Sequence, residues 1–172
     1  MADIRTPMQW SADENAGFTK GIPWISLYLD YAAGKNVADE SADPDSLLAH
    51  YRKLIHLRNQ HAALRVGDYF PVEVDNEAIF TFLRASKEEV VLVILNLGKD
   101  SISEFSLSLD HGPLKDAYEA VLLIGEDWMA EGEVLPAPVI NAKGGFDSYE
   151  PIVANQPLPG NGSLIFQLRP IK

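Results

Sequence analysis

The sequence predicts a mainly β protein in which an irregular segment and one amphipathic helix precede an antiparallel β-sandwich. Residues 1–42 show no sustained periodicity, and residues 44–61 follow helical spacing. From about residue 69, apolar and polar residues alternate in several short runs, which is typical of strands. The chain of 172 residues is long enough for one hydrophobic core, or for one core with an appendage.

The first 42 residues are predicted to be loop, because glycine and proline interrupt them repeatedly. They carry the aromatic residues Trp10, Phe18, Trp24, Tyr28 and Tyr31. Aromatic side chains are usually buried, so this loop is expected to lie against other structure. A loop, one helix and then a sandwich is the order expected of the last piece of a larger protein.

The helix is predicted over residues 44–61. Asp43 is the expected N-cap, and Pro44 suits the first helical position. The positions at helical spacing form one apolar stripe, which consists of Leu47, Leu48, Tyr51, Leu54, Ile55 and Arg58. Such a stripe needs a partner surface.

The strands are predicted from their period of two. Residues 79–83 alternate, so that Phe80 and Phe82 face opposite to their neighbours. Residues 90–97 are apolar nearly throughout, as in a strand covered on both faces. Further strands are predicted at residues 105–109, 118–124, 134–140 and 164–168. The stretch from 125 to 162 is rich in proline and glycine, and its pattern predicts little else.

Composition excludes several classes of protein. The 14 basic and 25 acidic residues give a net charge of −11, which argues against nucleic acid as a partner. Without cysteine there is no disulfide, thiolate nucleophile, zinc ribbon or iron–sulfur site. No apolar run reaches the ~20 residues of a membrane span, so no membrane partner is expected. The first residues lack a signal-peptide apolar region, and localisation is left open.

Metal and cofactor sites are not expected either. The acidic residues near the predicted helix start lack the spacing of a calcium loop, and a solvated helix N-terminus explains them; they are Asp39, Glu40, Asp43 and Asp45. No two histidines have the i,i+4 spacing of a helical zinc pair; they are His50, His56, His61 and His111. No phosphate-binding loop or nucleophile elbow is present.

Several motifs occur in a fixed order over residues 5–69. They begin with Arg-Thr-Pro-Met-Gln-Trp at 5–10, Asn-Ala-Gly-Phe-Thr at 15–19 and Pro-Trp at 23–24. Asp-Pro-Asp-Ser-Leu-Leu at 43–48, Tyr-Arg-Lys-Leu-Ile at 51–55 and Gly-Asp-Tyr at 67–69 follow. Together they resemble the family-thirteen glycoside hydrolases. The nearest branch holds the α-glucosidases, oligo-1,6-glucosidases, trehalose synthases and related α-amylases.

The resemblance implies a division of the chain into two parts. Residues 1–62 would be the end of the catalytic (β/α)₈ barrel, consisting of the loop after the eighth strand and the last helix. Residues 63–172 would be the β-sandwich called domain C. The family's catalytic carboxylates come from strands four, five and seven, which precede this segment. The resemblance therefore implies that this chain holds no catalytic residue and is inactive and structural by itself.

Two residues are expected to bind substrate in the intact parent enzyme. Arg5 resembles the arginine that lines the family's substrate pocket, where its guanidinium could donate to sugar hydroxyls. Trp10 could stack on a pyranose ring. For Trp10 and Trp24 the competing interpretation is a core anchor, and for Arg5 in this chain alone it is an ion pair. The partners implied are the missing catalytic barrel and, in the intact enzyme, an α-glucan or oligosaccharide.

Two other functions remain open. The sandwich could be a starch- or glycogen-binding module, which would need two exposed aromatic residues on one platform. Trp128 and Tyr149 are the preferred pair among the candidates, which also include Tyr69, Phe70, Tyr118 and Phe146. The chain could instead be an interaction domain that forms a homodimer through Leu47, Leu54 and Ile55 of the helix.

Overall fold

The computed structural model describes residues 5–115, 117–125, 130–151 and 156–171. The chain divides into two compact units, Met1–Leu57 and Arg58–Lys172, and each is described by itself. Within the described residues, no helix combines the length and apolarity needed to cross a bilayer.

The first unit contains short helices where the sequence predicted only loop. A left-handed turn spans Glu14–Gly17, a 3₁₀ helix spans Leu29–Ala33, and helix α1 spans Val37–Ala42. The Asn36 side chain caps α1 by accepting a hydrogen bond from the Asp39 amide at 3.0 Å. The helices are too short to show a periodic pattern, which is why the sequence did not predict them.

The amphipathic helix is confirmed, but it begins later than predicted. Helix α2 spans Leu47–Gln60. The Ser46 hydroxyl, and not Asp43, accepts a hydrogen bond from the helical amide of Ala49, at 3.1 Å. Asp43 accepts instead from the Asp45 amide in the preceding turn, at 2.9 Å. The prediction of Asp43 as N-cap was therefore wrong, since the turn at residues 43–46 moves the helix start to Leu47.

The second unit begins at the end of α2 and continues through helix α3, Ala62–Val66, into two antiparallel sheets. One sheet has six strands in the order β1-β3-β4-β9-β6-β7, and the other has three in the order β2-β5-β8. The strands of the first sheet are β1 Asp68–Pro71, β3 Ile79–Ala85, β4 Val90–Asn96, β6 Tyr118–Ile124, β7 Val134–Pro136 and β9 Ser163–Pro170. Those of the second are β2 Glu73–Val74, β5 Leu107–Leu109 and β8 Phe146–Tyr149.

Side chains from both sheets form one hydrophobic core. The six-stranded sheet contributes Leu83, Leu92 and Phe166, among others, and the three-stranded sheet contributes Leu107 and Phe146. All of these are fully buried. The prediction of a mainly β fold is therefore confirmed at the level of antiparallel sheets with few helices.

Most predicted strands are present, with shifted ends. Strand β4 is buried at nearly every position, as its continuous apolar run predicted. The strand predicted at 134–140 ends at Pro136, where proline lacks the amide that a ladder needs. The sequence missed β1, β2 and β8, which are only two to four residues long.

Candidate functional site

The segment that carries the first motif is held in place by backbone hydrogen bonds. The Trp10 amide donates to the Ala16 carbonyl at 2.8 Å. On the other side, the Gln9 and Trp10 carbonyls accept from the amides of Val37 and Ala38, each at 3.0 Å. Residues 9 and 10 are therefore clamped between the turn at 14–17 and the start of α1.

The Gln9 side chain connects this segment to the 3₁₀ helix Leu29–Ala33. Its amide nitrogen donates to the Asp30 carboxylate at 2.7 Å and to the Tyr28 carbonyl at 3.2 Å. Gln9 thus fixes the position of residues 28–30 relative to the first motif, although the two are about 20 residues apart in sequence.

The Asn-Ala-Gly motif forms a turn with left-handed backbone conformation. Asn15, Ala16 and Gly17 have φ values of 52°, 55° and 65°. A Cβ on Gly17 would lie 2.5 Å from the Ser11 hydroxyl oxygen, so a side chain does not fit there. The Asn15 amide nitrogen donates to the carbonyls of Thr19 and Gly21, which stabilises this unfavourable conformation.

Buried Asn36 closes the segment. The residue is only 3% exposed. Its side-chain amide nitrogen donates to the Tyr31 carbonyl at 2.8 Å and to the Asp39 carboxylate at 2.6 Å. The loop is thus ordered by amide side chains and backbone pairs more than by an apolar core.

The segment presents its large side chains to solvent. Arg5 is exposed and forms no ion pair with another described residue. Trp10 is 51% exposed, and Trp24 is 75% exposed. An exposed guanidinium and two exposed indole rings can donate to hydroxyls and stack on the C–H faces of sugars.

Shifted pKa values occur in the second unit. Partial burial by itself would raise the pKa of Glu89. Hydrogen bonds from the Ala63 amide and from His61 outweigh it and hold the pKa of Glu89 below its usual value. The salt bridge to Lys143, 2.6 Å away, lowers the pKa of exposed Asp110. Within the described residues, no group of three or more histidine or acidic side chains could hold a metal ion.

The structure does not support Tyr149 as part of an exposed aromatic platform. Trp128 lies outside the described residues, and Tyr149, 7% exposed, belongs to the core together with Phe146. Tyr149 and Phe146 cannot bind a glycan at the surface, because both side chains are buried in the core. Phe70 and Tyr118 are half-buried, whereas Tyr69 is 52% exposed.

Exposed aromatic rings do come together around Tyr69. Its ring centroid lies 5.3 Å from that of Phe82, and Phe82 lies 5.6 Å from Phe80. The alternation in residues 79–83 placed both phenylalanines on one face. Their contact with Tyr69 depends on the β1–β3 pairing, which the sequence did not predict.

Comparison with known proteins is consistent with the motifs. The family model described as "Alpha amylase, catalytic domain" matches residues 2–67, which include the clamped segment, α2 and α3. The Probable oligo-1,6-glucosidase 2 of Bacillus subtilis (strain 168) is 40% identical over 96 residues, which are 56% of this chain and 17% of the relative. This chain belongs to the alpha-amylase family of glycoside hydrolases.

Other members of the alpha-amylase family agree. The Trehalose-6-phosphate hydrolase of Escherichia coli (strain K12) is 43% identical over 96 residues, 56% of this chain and 17% of the relative. The crystal structure of trehalose-6-phosphate hydrolase from Bacillus licheniformis has a TM-score of 0.64 and 28% identity, covering 96% of this chain and 26% of that one.

The likeness to family structures includes both β-sheets. An isomaltulose synthase mutant from Erwinia rhapontici NX5, in complex with D-glucose, covers 96% of this chain and 25% of its own, at a TM-score of 0.64 and 27% identity. The chain spans about a fifth of the length of the curated relatives it matches.

Proposed function

We propose that this chain is the C-terminal part of a retaining α-glucan hydrolase of the alpha-amylase family. Residues 1–62 would complete the catalytic barrel, and residues 63–172 would form the β-sandwich domain C. One observation carries the proposal: the catalytic-domain family model matches only residues 2–67, whereas family structures match 96% of the chain. This difference supports a chain that would join the end of a catalytic domain to a β-sheet domain.

The role of the chain in the parent enzyme is structural. A retaining glycosidase needs a nucleophile and a general acid about 5–5.5 Å apart around one sugar ring. In the parent, an aspartate would form the glycosyl-enzyme and a glutamic acid would protonate the leaving oxygen. The family's positions for both lie upstream of the first motif, so the chain alone is expected to hydrolyse nothing.

The chain would also complete the substrate pocket. Arg5 and Trp10 lie at the two ends of the first motif, and both side chains are exposed. Backbone clamps hold Trp10 in place, which reduces the entropy lost when it stacks on a sugar. The substrate would be an α-linked oligosaccharide, as the names of the oligo-1,6-glucosidase relatives suggest.

A chimera tests the proposal. The part of the Bacillus subtilis oligo-1,6-glucosidase 2 that precedes its match to this chain is joined upstream of residue 5, and this product is called the chimera. We expect the chimera to release glucose from isomaltose or maltose and the isolated chain to release none. Hydrolysis by the isolated chain, lost when one of its own acids is changed to an amide, would contradict the proposal.

The same chimera tests the two substrate-binding residues. Arg5→Ala and Trp10→Ala are each expected to lower kcat/KM by about 10- to 100-fold, or about 1.4 to 2.7 kcal/mol of transition-state stabilisation. Arg169→Ala is the control, because Arg169 lies near the C-terminal end of β9, outside the first motif, and pairs with Glu119 at 3.4 Å. Equal kcat/KM values for the three variants would show that Arg5 and Trp10 do not contribute to substrate binding.

A further inference from the structure

The first motif leads into a loop that returns to Gln9 at two places. We call residues 11–36 the return loop. In the middle of this loop, the Asp30 carboxylate and the Tyr28 carbonyl accept hydrogen bonds from the Gln9 side-chain amide, at 2.7 and 3.2 Å. Just beyond its end, the Val37 amide donates to the Gln9 carbonyl at 3.0 Å. Gln9 is thus bonded through its side chain to the middle of the return loop and through its main chain to the residue that follows it.

The second half of the return loop has bonds of its own. The Lys35 amide donates to the Asp30 carbonyl at 3.1 Å, and the side-chain amide of buried Asn36 donates to the Tyr31 carbonyl at 2.8 Å. These bonds fix the shape of this half of the loop. The Gln9 side chain, by contrast, fixes where its beginning lies against the first motif.

Two exposed aromatic residues flank the contact between Gln9 and the return loop. Trp10 follows Gln9 directly, and Tyr28 accepts a hydrogen bond from Gln9 through its carbonyl. Each of the two residues is 51% exposed. Aromatic rings pack well against the C–H faces of sugars. The Gln9 side chain therefore fixes the spacing between two residues that are suited to contact a sugar.

The contact is better suited to setting a position than to stabilising the fold. Both hydrogen bonds of the Gln9 amide are exposed, and water competes for exposed donors and acceptors, so that their net contribution to stability is small. The bond to Asp30 is short and goes to a carboxylate, as in directional, charge-assisted hydrogen bonds. A substitution that removes it is therefore expected to leave the chain folded.

We infer that Gln9 is a positioning residue of the parent enzyme: its side chain holds the return loop so that Trp10 and Tyr28 face the substrate at a fixed spacing. The inference rests on the proposed function. Gln9 itself need not touch the sugar. A loop that is already in place loses less conformational entropy when the substrate binds, so the expected consequence of the contact is a lower KM.

An exchange of donor and acceptor in the chimera tests the inference. Gln9→Glu removes the donor and places a carboxylate opposite Asp30, and we expect KM for isomaltose to rise about tenfold with kcat within about twofold of wild type. Asp30→Asn alone should change KM by less than about twofold, because its side-chain oxygen still accepts from Gln9.

The double variant Gln9→Glu/Asp30→Asn decides whether the hydrogen bond itself matters. An amide again donates to a carboxylate in this variant, with the two groups exchanged. We expect KM to return to within about threefold of wild type. The recovery is incomplete because a glutamate cannot donate to the Tyr28 carbonyl.

The division between KM and kcat distinguishes positioning from a merely structural role. A smaller folded fraction would lower the apparent kcat and leave KM unchanged. Gln60→Glu is the matched control, because Gln60 is exposed at the end of α2 and the substitution adds the same charge; its KM should equal that of wild type. An unchanged KM for Gln9→Glu, or a raised KM that the double variant does not lower, would overturn the inference.

Hydrogen exchange with mass-spectrometric readout gives a measurement that does not depend on activity. In the chimera, the amides of residues 28–36 should exchange about fivefold faster in Gln9→Glu than in wild type, because the loop opens more often when its contact with the motif is lost. The double variant should return to the wild-type rate. Exchange in Gln9→Glu at the wild-type rate would overturn the inference.

The outcomes separate the inference from the proposed function. An active chimera whose KM does not respond to Gln9→Glu contradicts the positioning role alone. A folded but inactive chimera contradicts the proposed hydrolase, and the Kd for isomaltose from calorimetry then replaces KM: a rise in Gln9→Glu that the double variant reverses supports the positioning role, and equal values overturn it. A folded chimera that neither hydrolyses nor binds isomaltose or maltose overturns both. If the chimera does not fold, the same exchange measurement on the isolated chain decides.

Discussion

Asn96 shows how much one buried side chain holds together. The residue is 1% exposed at the end of β4. The two hydrogens of its amide nitrogen are shared among the carbonyls of Asp100, Leu158 and Pro159, at 2.9, 3.2 and 2.9 Å, and its oxygen accepts from the Gly98 amide at 2.9 Å. The side chain thus joins the loop after β4 to the turn before β9.

We expect Asn96→Asp to lower the free energy of unfolding by about 2 to 4 kcal/mol, because a carboxylate has no hydrogen to donate to the buried Leu158 carbonyl or to the part-buried carbonyls of Asp100 and Pro159. Urea unfolding at pH 7 measures this. Asn141→Asp is the control, since an aspartate can still accept from the amides of Lys143 and Gly145 and loses only the exposed hydrogen bond that the Asn141 amide nitrogen donates to the Asp110 carbonyl at 3.3 Å. Similar losses for both variants would mean that the Asn96 donors contribute little.

The sequence marked neither of these asparagines. An asparagine at the end of an apolar strand is equally compatible with a turn residue exposed to solvent. Its burial depends on carbonyls that lie more than 60 residues further along the chain. By contrast, Gly17 was visible as part of a motif, and the structure explains the motif by the contact its Cβ would make with Ser11.

At the scale of elements, α2 differs from its prediction in two ways: it begins at a later residue, and much of its apolar stripe is exposed. Leu47, Tyr51 and Ile55 of the apolar stripe are more than half exposed, and Leu57, 9% exposed, is buried instead. An apolar stripe identifies the face of a helix that can pack against another surface. It does not show whether that surface belongs to the same chain.

Two substitutions distinguish the predicted cap of α2 from the observed one. Ser46→Ala should lower the free energy of unfolding by about 1 kcal/mol, because the Ala49 amide loses its acceptor. Asp43→Ala should cost less than about 0.5 kcal/mol, since the Asp43 carboxylate accepts from the Asp45 amide in an exposed turn and not from an amide of the helix. Thermal unfolding followed by far-ultraviolet circular dichroism measures both. A larger loss for Asp43→Ala would restore Asp43 as the effective cap.

The strands show when local pattern suffices. Strands β3, β4 and β6 have seven residues each, long enough for the period of two to be visible. Strand β8, with four residues, follows a glycine-rich stretch and is defined by its pairing with β5. Short strands such as this exist because a partner is available, and the partner is not visible locally.

At the scale of the whole second unit, Glu89 connects three distant parts of the chain. Its carboxylate accepts from the Ala63 amide at 2.9 Å and from the Gln167 side chain at 3.2 Å, and lies 2.9 Å from His61 Nδ1. It therefore ties the start of α3 to the end of the β3–β4 turn and to β9.

The lowered pKa of Glu89 gives this link a pH dependence. A carboxyl group whose pKa is lower in the folded state contributes stability above its unfolded pKa, and the contribution is lost as the pH falls through the folded pKa. Glu89→Gln should therefore lower the free energy of unfolding by about 1 to 2 kcal/mol at pH 7. The difference from wild type should shrink as the pH falls below 4.5, the ordinary value for the group.

Urea unfolding from pH 7 to pH 3 measures this dependence. Glu88→Gln is the matched control, because exposed Glu88 is adjacent in sequence and should show no comparable change with pH. A loss for Glu89→Gln that stays constant across this range would show that the ionised form of Glu89 does not stabilise the link.

The sequence by itself determined the family, the amphipathic helix and the long strands. Each is encoded in neighbouring residues, either as an ordered motif such as residues 5–10 or as a repeat of fixed period. Only the tertiary structure decided that Tyr149 belongs to the core, that Ser46 caps α2, and that Tyr69 meets Phe82 on an exposed face. These depend on which distant segments pack together, and burial and hydrogen bonding act between residues that are close in space, whatever their separation along the chain.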